Sequence, residues 1–509
     1  MRVHHAALSA GLLALSAPAW AQRFDTEDNT ALPVEATVGV PGQFAPAKPG
    51  EWLVIPYVTV TETYTDNRGG ASRDAQADLV TQINPGVFID GSGRRVRATL
   101  DADVVYDTYL SSNRLDGYRF SVYGIGEAEA VRDLIYFDGR VSLSQHSLLR
   151  SGPISIIERT LPGNQSQIFN YALSPNFRKE IGGWAEWSGR YEFSQVTFTE
   201  PDVGGVAVQP SDAHSHRVGT RLGSGERFDR LHWSLTGNAK VLNIQNDEDA
   251  ERQYGIGEVG YDLFSWLRPE VSGGYEKIDE PGIDEDLFSG PIWSAGARLS
   301  PGRRLEGRVR YNHRYGTKFW SGNGAFEFYD GVKLTASANH SVINAQEEVG
   351  LMLERLGRDP TGHWIDTETG LLLDPTDPLL DLVDMTYLQD RVTVGIVMRR
   401  NRHWGEISGF HVDRFYPTLL ASAEYWGGNL RYGRRLRGPF DVTGSLGFSD
   451  SEGSISLIDT RIWKLGATFG YSHSSRIRAE LSVNHLETAN DFNTGHEENA
   501  LTLRVRVAF

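Results

Sequence analysis

From Trp52 to the last residue the chain repeats short segments in which apolar and polar residues alternate with period two. In 96–106 (VRATLDADVVY), Val96, Ala98, Leu100, Ala102, Val104 and Tyr106 fall on one face, and Arg97, Thr99, Asp101 and Asp103 on the other. In 231–241 (LHWSLTGNAKV), Leu231, Trp233, Leu235 and Val241 oppose His232, Ser234, Asn238 and Lys240. In 305–314 (LEGRVRYNHR), Leu305, Val309 and Tyr311 oppose Glu306, Arg308, Arg310 and Arg314, and 332–342 and 477–486 behave alike. A period of two means strands, and segments of about ten residues are what a tilted strand needs to cross a bilayer.

The connections carry a second signal because short and long ones alternate. Short turns are read at 91–94, 181–183, 300–304, 330–331 and 437–439, with long acidic stretches at 199–214, 277–290 and 487–498 between them. Short periplasmic turns alternating with longer outer loops are the mark of a transmembrane β-barrel. The pattern predicts an all-β, antiparallel, up-and-down barrel of about 22 strands (range 18–24) with no separate plug domain. A soluble sandwich also alternates, but it leaves one face in water and buries an apolar one; here the polar face is too charged for a core. No repeat of fixed period suggests a propeller.

The final segment, 501–509 (LTLRVRVAF), keeps the alternation to its last residue. Leu501, Leu503, Val505, Val507 and Phe509 are expected to meet lipid, and Arg504 and Arg506 a wet lumen. Closure of a barrel pairs this strand with the one near 52–64, leaving no backbone edge in hydrocarbon. A terminal aromatic after alternating apolar positions resembles the C-terminal signal read by the bacterial outer-membrane barrel assembly machinery.

Composition narrows the picture. The 509 residues include no cysteine, which excludes disulfides and thiolate metal sites, and glycine is frequent at 55 residues. The formal charge of −16 argues against a nucleic-acid partner. The first residues, MRVHHAALSAGLLALSAPAWAQ, read as a signal peptide over 1–21, followed by a flexible periplasmic leader over 22–50 and the barrel over 51–509. No stretch is apolar and long enough for a spanning helix. The expected location is the bacterial outer membrane, with its lipid and lipopolysaccharide as surroundings.

One stretch carries a family likeness. WLVIPYVTVTETYTDNRGG, followed by DLVTQINPGVFIDGSGRRVRATLDADVVYDTY, contains Pro56, Glu62, Thr63, Tyr64, Thr65, Asp66, Asn67, Asp78, Pro85 and Gly86. These resemble the opening strands of an outer-membrane β-barrel porin family associated with exosortase/PEP-CTERM and exopolysaccharide gene clusters. The resemblance implies a barrel that moves or anchors a surface polysaccharide, and it supplies no catalytic residues. TonB-dependent transporters share the strand number, but they carry a globular plug before the barrel, where only 22–50 precede Trp52.

Candidate site residues follow from the polar face. Arg97, Asp101, Asp103, Arg190, Glu192, Arg268, Glu270, Glu306, Arg308, Arg310, Arg314, Arg478, Glu480, Arg504 and Arg506 are expected to line the lumen. Such charges either select solutes or stiffen the wall through cross-strand pairs. The long non-alternating insert at 346–386 is the candidate constriction. There Trp364 would stack on a sugar ring while carboxylates such as Asp366, Glu368, Asp374 and Asp377 repel anions; alternatively, Leu371, Leu372, Leu373, Leu379 and Leu380 would pack a lid. Neither a cofactor nor a metal is implied, since no serine-hydrolase or zinc-protease motif occurs and a loop-spaced calcium motif is missing. His411 and Asp413 share a strand face without an assignable nucleophile. The expectation is a porin-like channel and not an enzyme, with a non-conducting anchor barrel as the alternative.

Overall fold

The computed structural model describes residues 47–509 except 49, 112–115, 150–153, 158–163, 200–209, 246, 359–363, 368–370, 372–380, 454–458 and 492–494. The stretches expected to be signal peptide (1–21) and, for the most part, leader (22–50) therefore lie outside the described residues, as do Glu368, Asp374 and Asp377. Twenty-two strands form a single sheet in which each neighbouring pair is antiparallel. The sheet closes because the first strand, Trp52–Thr65, pairs with the last, Glu497–Ala508, in a register running from Tyr57 opposite Ala508 to Thr65 opposite Ala500. A closed barrel satisfies every ladder donor and acceptor along its wall, which hydrocarbon demands.

One end of the barrel carries the short turns and the other most of the long connections. At the short-turn end the links are two to six residues, such as 330–331 between Thr317–Tyr329 and Val332–Ile343. Gly331 shows why the residue type matters there. Its φ is +81°, and an added Cβ would stand 2.1 Å from the Arg399 carbonyl oxygen, so no L side chain fits.

Alternation becomes a two-sided wall. Val54, Leu235, Val271, Val483 and Leu503 point outward and are exposed, while their sequence neighbours face in. Aromatic girdles bound this apolar band. Trp52, Trp184, Trp266 and Tyr471 lie towards the short turns, and Tyr64, Tyr118, Trp320 and Trp463 towards the long connections. Along the strand Thr460–Ser472, Tyr471 comes eight positions after Trp463. That is roughly 27 Å of strand, enough, once tilted, for most of an apolar band about 25 Å tall. Leu501, Leu503, Val505 and Val507 sit on this outward face, and Phe509 is exposed at the short-turn rim.

Candidate functional site: the lumen and the segment folded into it

Residues 344–386 leave the wall after Val332–Ile343 and return at Tyr387–Arg400. The described residues between those points, 344–358, 364–367, 371 and 381–386, lie inside the barrel. Asn344 caps the helix Ala345–Glu354, its side chain accepting from the Glu347 N–H at 2.9 Å. Ala345, Val349 and Leu353 are four residues apart and so share one face. Ala345 and Val349 are buried against Leu148, Ile168, Val196, Phe198 and Leu382. This contact lies on the fifth to seventh strands, across the barrel from where the segment begins.

Charged pairs fasten the helix to the wall. Glu347 meets Lys240 and, at 2.8 Å, Arg252. Glu348 meets Arg414 and accepts from the Tyr387 hydroxyl, with Arg391 at 3.9 Å. Arg414 is fully buried; it also donates to Gln389 at 3.0 Å and to the Asp381 carbonyl at 2.7 Å, and stacks over Tyr387 at 4.2 Å. At the other end Arg140 donates to the carbonyls of Leu353 (2.9 Å), Glu354 and Leu356 (3.0 Å), a cation at the negative pole of the helix. Arg217 lies 3.6 Å from Glu354. Burial pushes the Glu347 carboxyl up, but the Arg252 and Lys240 charges outweigh it and hold it well below the usual carboxylate range.

Beyond the helix, Leu356–Arg358 pairs with Trp364–Asp366 as a small hairpin. Its Leu356 and Trp364, together with Leu353 of the helix, pack on Tyr123, Ile125 and Ala172 of the wall. Arg358 reaches Asp90 at 3.2 Å and lies 4.5 Å above the Phe88 ring, close to the short-turn end. Asp90 also accepts from the Ala47 N–H at 2.6 Å, so the first described residues and the in-folded segment meet at one carboxylate. The returning chain is tied down by Asp384, which accepts from Ser211 Oγ at 2.6 Å and from Gln346 at 2.7 Å. Part of a second connection, 154–157, also turns inward. Ile154 packs on Ile462 and Leu486, Ile157 on Val80 and Tyr109, and the Ile156 N–H donates to Glu498 at 2.8 Å.

One sequence expectation changes here. Trp364 is only 9% exposed, and its ring is taken up by Leu353, Leu356 and Tyr123, so it offers no face to a sugar. Of the carboxylates expected to repel anions only Asp366 is described, and it lies 3.9 Å from Arg355, while Glu347, Glu348 and Glu354 of the same segment sit against wall cations. Leu371 stands against Gly395 of the wall, and Leu372, Leu373, Leu379 and Leu380 lie outside the described residues.

The expected lumen residues all lie on the inner face, but in separate groups. Arg190 bridges Asp138 (2.9 Å) and Glu192 (3.1 Å). Arg308 contacts Glu258 (2.6 Å) and Glu270 (2.7 Å), and Arg310 shares both acids. Arg268 pairs with Asp262 (2.7 Å), Glu306 with Arg298 (2.7 Å), and Arg314 with Glu276. Arg478 holds Asp441 at 2.8 Å and 3.0 Å and Glu480 at 2.8 Å, with Arg504 3.6 Å from Glu480. Tyr57 donates to Asp101 at 2.8 Å, while Asp103 receives a long 3.4 Å bond from Asn84. Arg506 shares the inner face with Asp101 and Glu480, and Arg97 is exposed near the short-turn end.

His411, Asp413 and Glu424 do come together, with His411 3.2 Å from Asp413 and 3.7 Å from Glu424. They stand on the outward face near the long-connection rim, away from the lumen. The wall cations that receive the segment, Arg140, Lys240, Arg252 and Arg414, were not singled out by sequence. The inward parity of Arg140, Lys240 and Arg252 follows from the alternation, whereas that of Arg414 runs against it, and the partners lie about one hundred to over two hundred residues away in three of the four cases.

No protein-family model and no curated protein matches the chain. Among solved structures it is similar to OpdK of Pseudomonas aeruginosa, crystallised with vanillate, at 9% identity and a TM-score of 0.35 over 90% of this chain and 99% of that one. It is also similar to the FrpB iron transporter of Neisseria meningitidis (F5-1 variant), at 9% identity and a TM-score of 0.45 over 92% and 82% of the two chains. A third is the siderophore receptor PirA of Pseudomonas aeruginosa, at 11% identity and a TM-score of 0.39 over 91% and 81%. None of these likenesses brings a solute or a mechanism to this chain.

Proposed function

We propose that the protein is a non-enzymatic outer-membrane channel for hydrophilic solutes, with a surface polysaccharide as its candidate passenger and with the 344–386 segment as its gate. The observation that carries the reading is the segment itself. It occupies the lumen through polar pairs to the wall, such as Glu347 to Lys240 and Arg252, and not only through a continuous apolar core. Charged contacts of this kind can exchange for water when the element lifts, so the apolar contacts of Ala345, Val349 and Trp364 are the part of the docking that opposes release. The outward apolar band between aromatic girdles supports a location in the outer membrane, with lipopolysaccharide on the long-connection side and the barrel assembly machinery as the route in. The polysaccharide assignment rests on the resemblance of the 52–109 stretch.

The competing reading is a barrel that anchors other components and conducts nothing, favoured by the inward packing of Ile154 and Ile157 at the same mouth. Swelling of liposomes containing the purified protein, in sugars of graded size, separates the two. A channel admits small sugars and excludes large ones at a definite size; an anchor admits none.

A further inference from the structure

At the short-turn end, the inner face of the wall forms an open-sided cavity of about 210 Å³. Five arginines line it: Arg178, Arg221, Arg268, Arg298 and Arg308. Three glutamates, Glu186, Glu258 and Glu270, stand among them. Counting the groups behind the lining as well, Arg310, Asp262 and Glu306, six guanidiniums face five carboxylates, a positive excess in a chain whose formal charge is −16.

The pairs fix Arg268 and Arg298 without using up their donors. Arg268 gives Nε and Nη2 to Asp262, at 2.7 Å and 3.3 Å, while His232 holds the same carboxylate at 2.8 Å. Arg298 gives Nη2 to Glu306 at 2.7 Å. Among the described residues, Arg268 Nη1 and Arg298 Nε and Nη1 form no hydrogen bond. A guanidinium has five N–H donors in a rigid fork, so both present donors already oriented for a planar anion. Glu258 and Glu270 are acceptors, and Ser188 and Ser234 add hydroxyls to the lining.

We infer that this cavity is a binding subsite for one carboxylate-bearing sugar residue of an acidic saccharide chain, an inference that rests on the channel reading above. The sugar carboxylate would lie on Arg268 and Arg298, and the ring hydroxyls would donate to Glu258 and Glu270. A neutral sugar leaves the guanidinium donors unmatched. A small dicarboxylate meets the two glutamates with like charge. The volume is below the roughly 300 Å³ of the smallest common ligand pockets, in keeping with one ring of a chain lying lengthwise.

The test uses full-length protein purified in detergent, with an oligogalacturonate and a neutral galactose oligomer of equal length as probes. Binding is read by titration calorimetry and passage by current block in planar bilayers under potassium chloride. The acidic oligomer is expected to bind at least about tenfold more tightly, the worth of one hydrogen bond to a charged group, and R268Q/R298Q to remove that preference. R298K, which keeps the charge and loses the fork, falls between; R304Q, on an exposed turn outside the cavity, binds as the parent does. Equal binding of both oligomers by the parent protein overturns the inference, whether or not the double variant folds. So does acidic binding that survives R268Q/R298Q. A salt current with no preference between oligomers sinks the subsite and leaves the channel standing. Selective binding without any current sinks the channel and leaves the subsite.

Discussion

Consider the two ends of the lumen. Towards the long connections, inward residues are packed against other protein: Tyr387, Val412, Tyr416 and Tyr425 form a buried cluster with Val383 of the segment, and Arg414 is sealed among them. Towards the short turns, away from Asp90 where Arg358 still reaches the wall, inward residues pair with one another around open space, as Arg298 does with Glu306, whose side chain is 60% exposed. The wall has the same alternation at both ends. What differs is the dielectric each inner face meets, so a charge that is a solvated ornament at one end is a buried fastener at the other.

Removing the fastened element is the harshest way to break this contrast. Replacing 350–380 by a short glycine–serine link takes away the hairpin and the end of the helix while leaving both wall strands. Single-channel conductance is expected to rise several-fold, as the long-connection half comes to resemble the short-turn half. Unchanged conductance would show that the segment does not limit the path.

A pair of single substitutions sharpens it. Glu348→Ala leaves Arg414 charged and buried without its carboxylate, a loss of about 3–5 kcal/mol when the partner cannot reach water. Part of that strain is expected to be relieved by the helix lifting away, seen as faster hydrogen exchange over 345–358 with the barrel still folded. Glu306→Ala, the matching change at the open end, is expected to alter stability by less than about 1 kcal/mol. If the two cost the same, the ends do not differ in solvation.

The outer face offers a smaller, independent check on which side is wet. Leu503→Arg places a cation in the apolar band and is expected to cost about 2–4 kcal/mol in refolding into vesicles. Arg504→Leu, one residue on and facing the lumen, is expected to cost less than about 1 kcal/mol. Equal effects, or a mature protein that stays folded and dissolved without detergent, would refute the two-solvent wall.

The barrel was legible because its rule is local: parity along 96–106 or 501–509 fixes the face of each residue, and closure follows from the need to pair edges. Where a second body covers the inner face, that rule fails. In 410–416 the inward residues are Phe410, Val412, Arg414 and Tyr416 and the outward ones include His411 and Asp413, so polarity runs opposite to the expectation there. The sequence attracts notice to His411 and Asp413, and the structure gives the lumen to Arg414. Similarly, 345–354 carries a helical spacing of Ala345, Val349 and Leu353, but nothing local says that its partners are Ile168 and Val196. Pairings set by the tertiary fold leave no mark within a ten-residue window, and this is also why Trp364, a conspicuous aromatic in a polar stretch, turned out to be packing.

The finest distinction concerns protons. Glu347 is held below the usual carboxylate range because Arg252 and Lys240 outweigh the effect of burial. A carboxylate lowered on folding adds stability that is present above its ordinary value, near 4.3, and is lost as the pH falls through the lowered one. Its wall partners are a lysine and an arginine, with no histidine to titrate between about pH 5 and 8. Conductance is therefore expected to be the same at about pH 7.5 and about pH 5, with opening setting in only below about pH 4. Glu347→Gln should bring that open behaviour to neutral pH, since it removes the charge and keeps the shape. Should the parent open between about pH 7 and 5 instead, or the glutamine variant stay shut, then charge at this carboxylate is not what keeps the long-connection half closed.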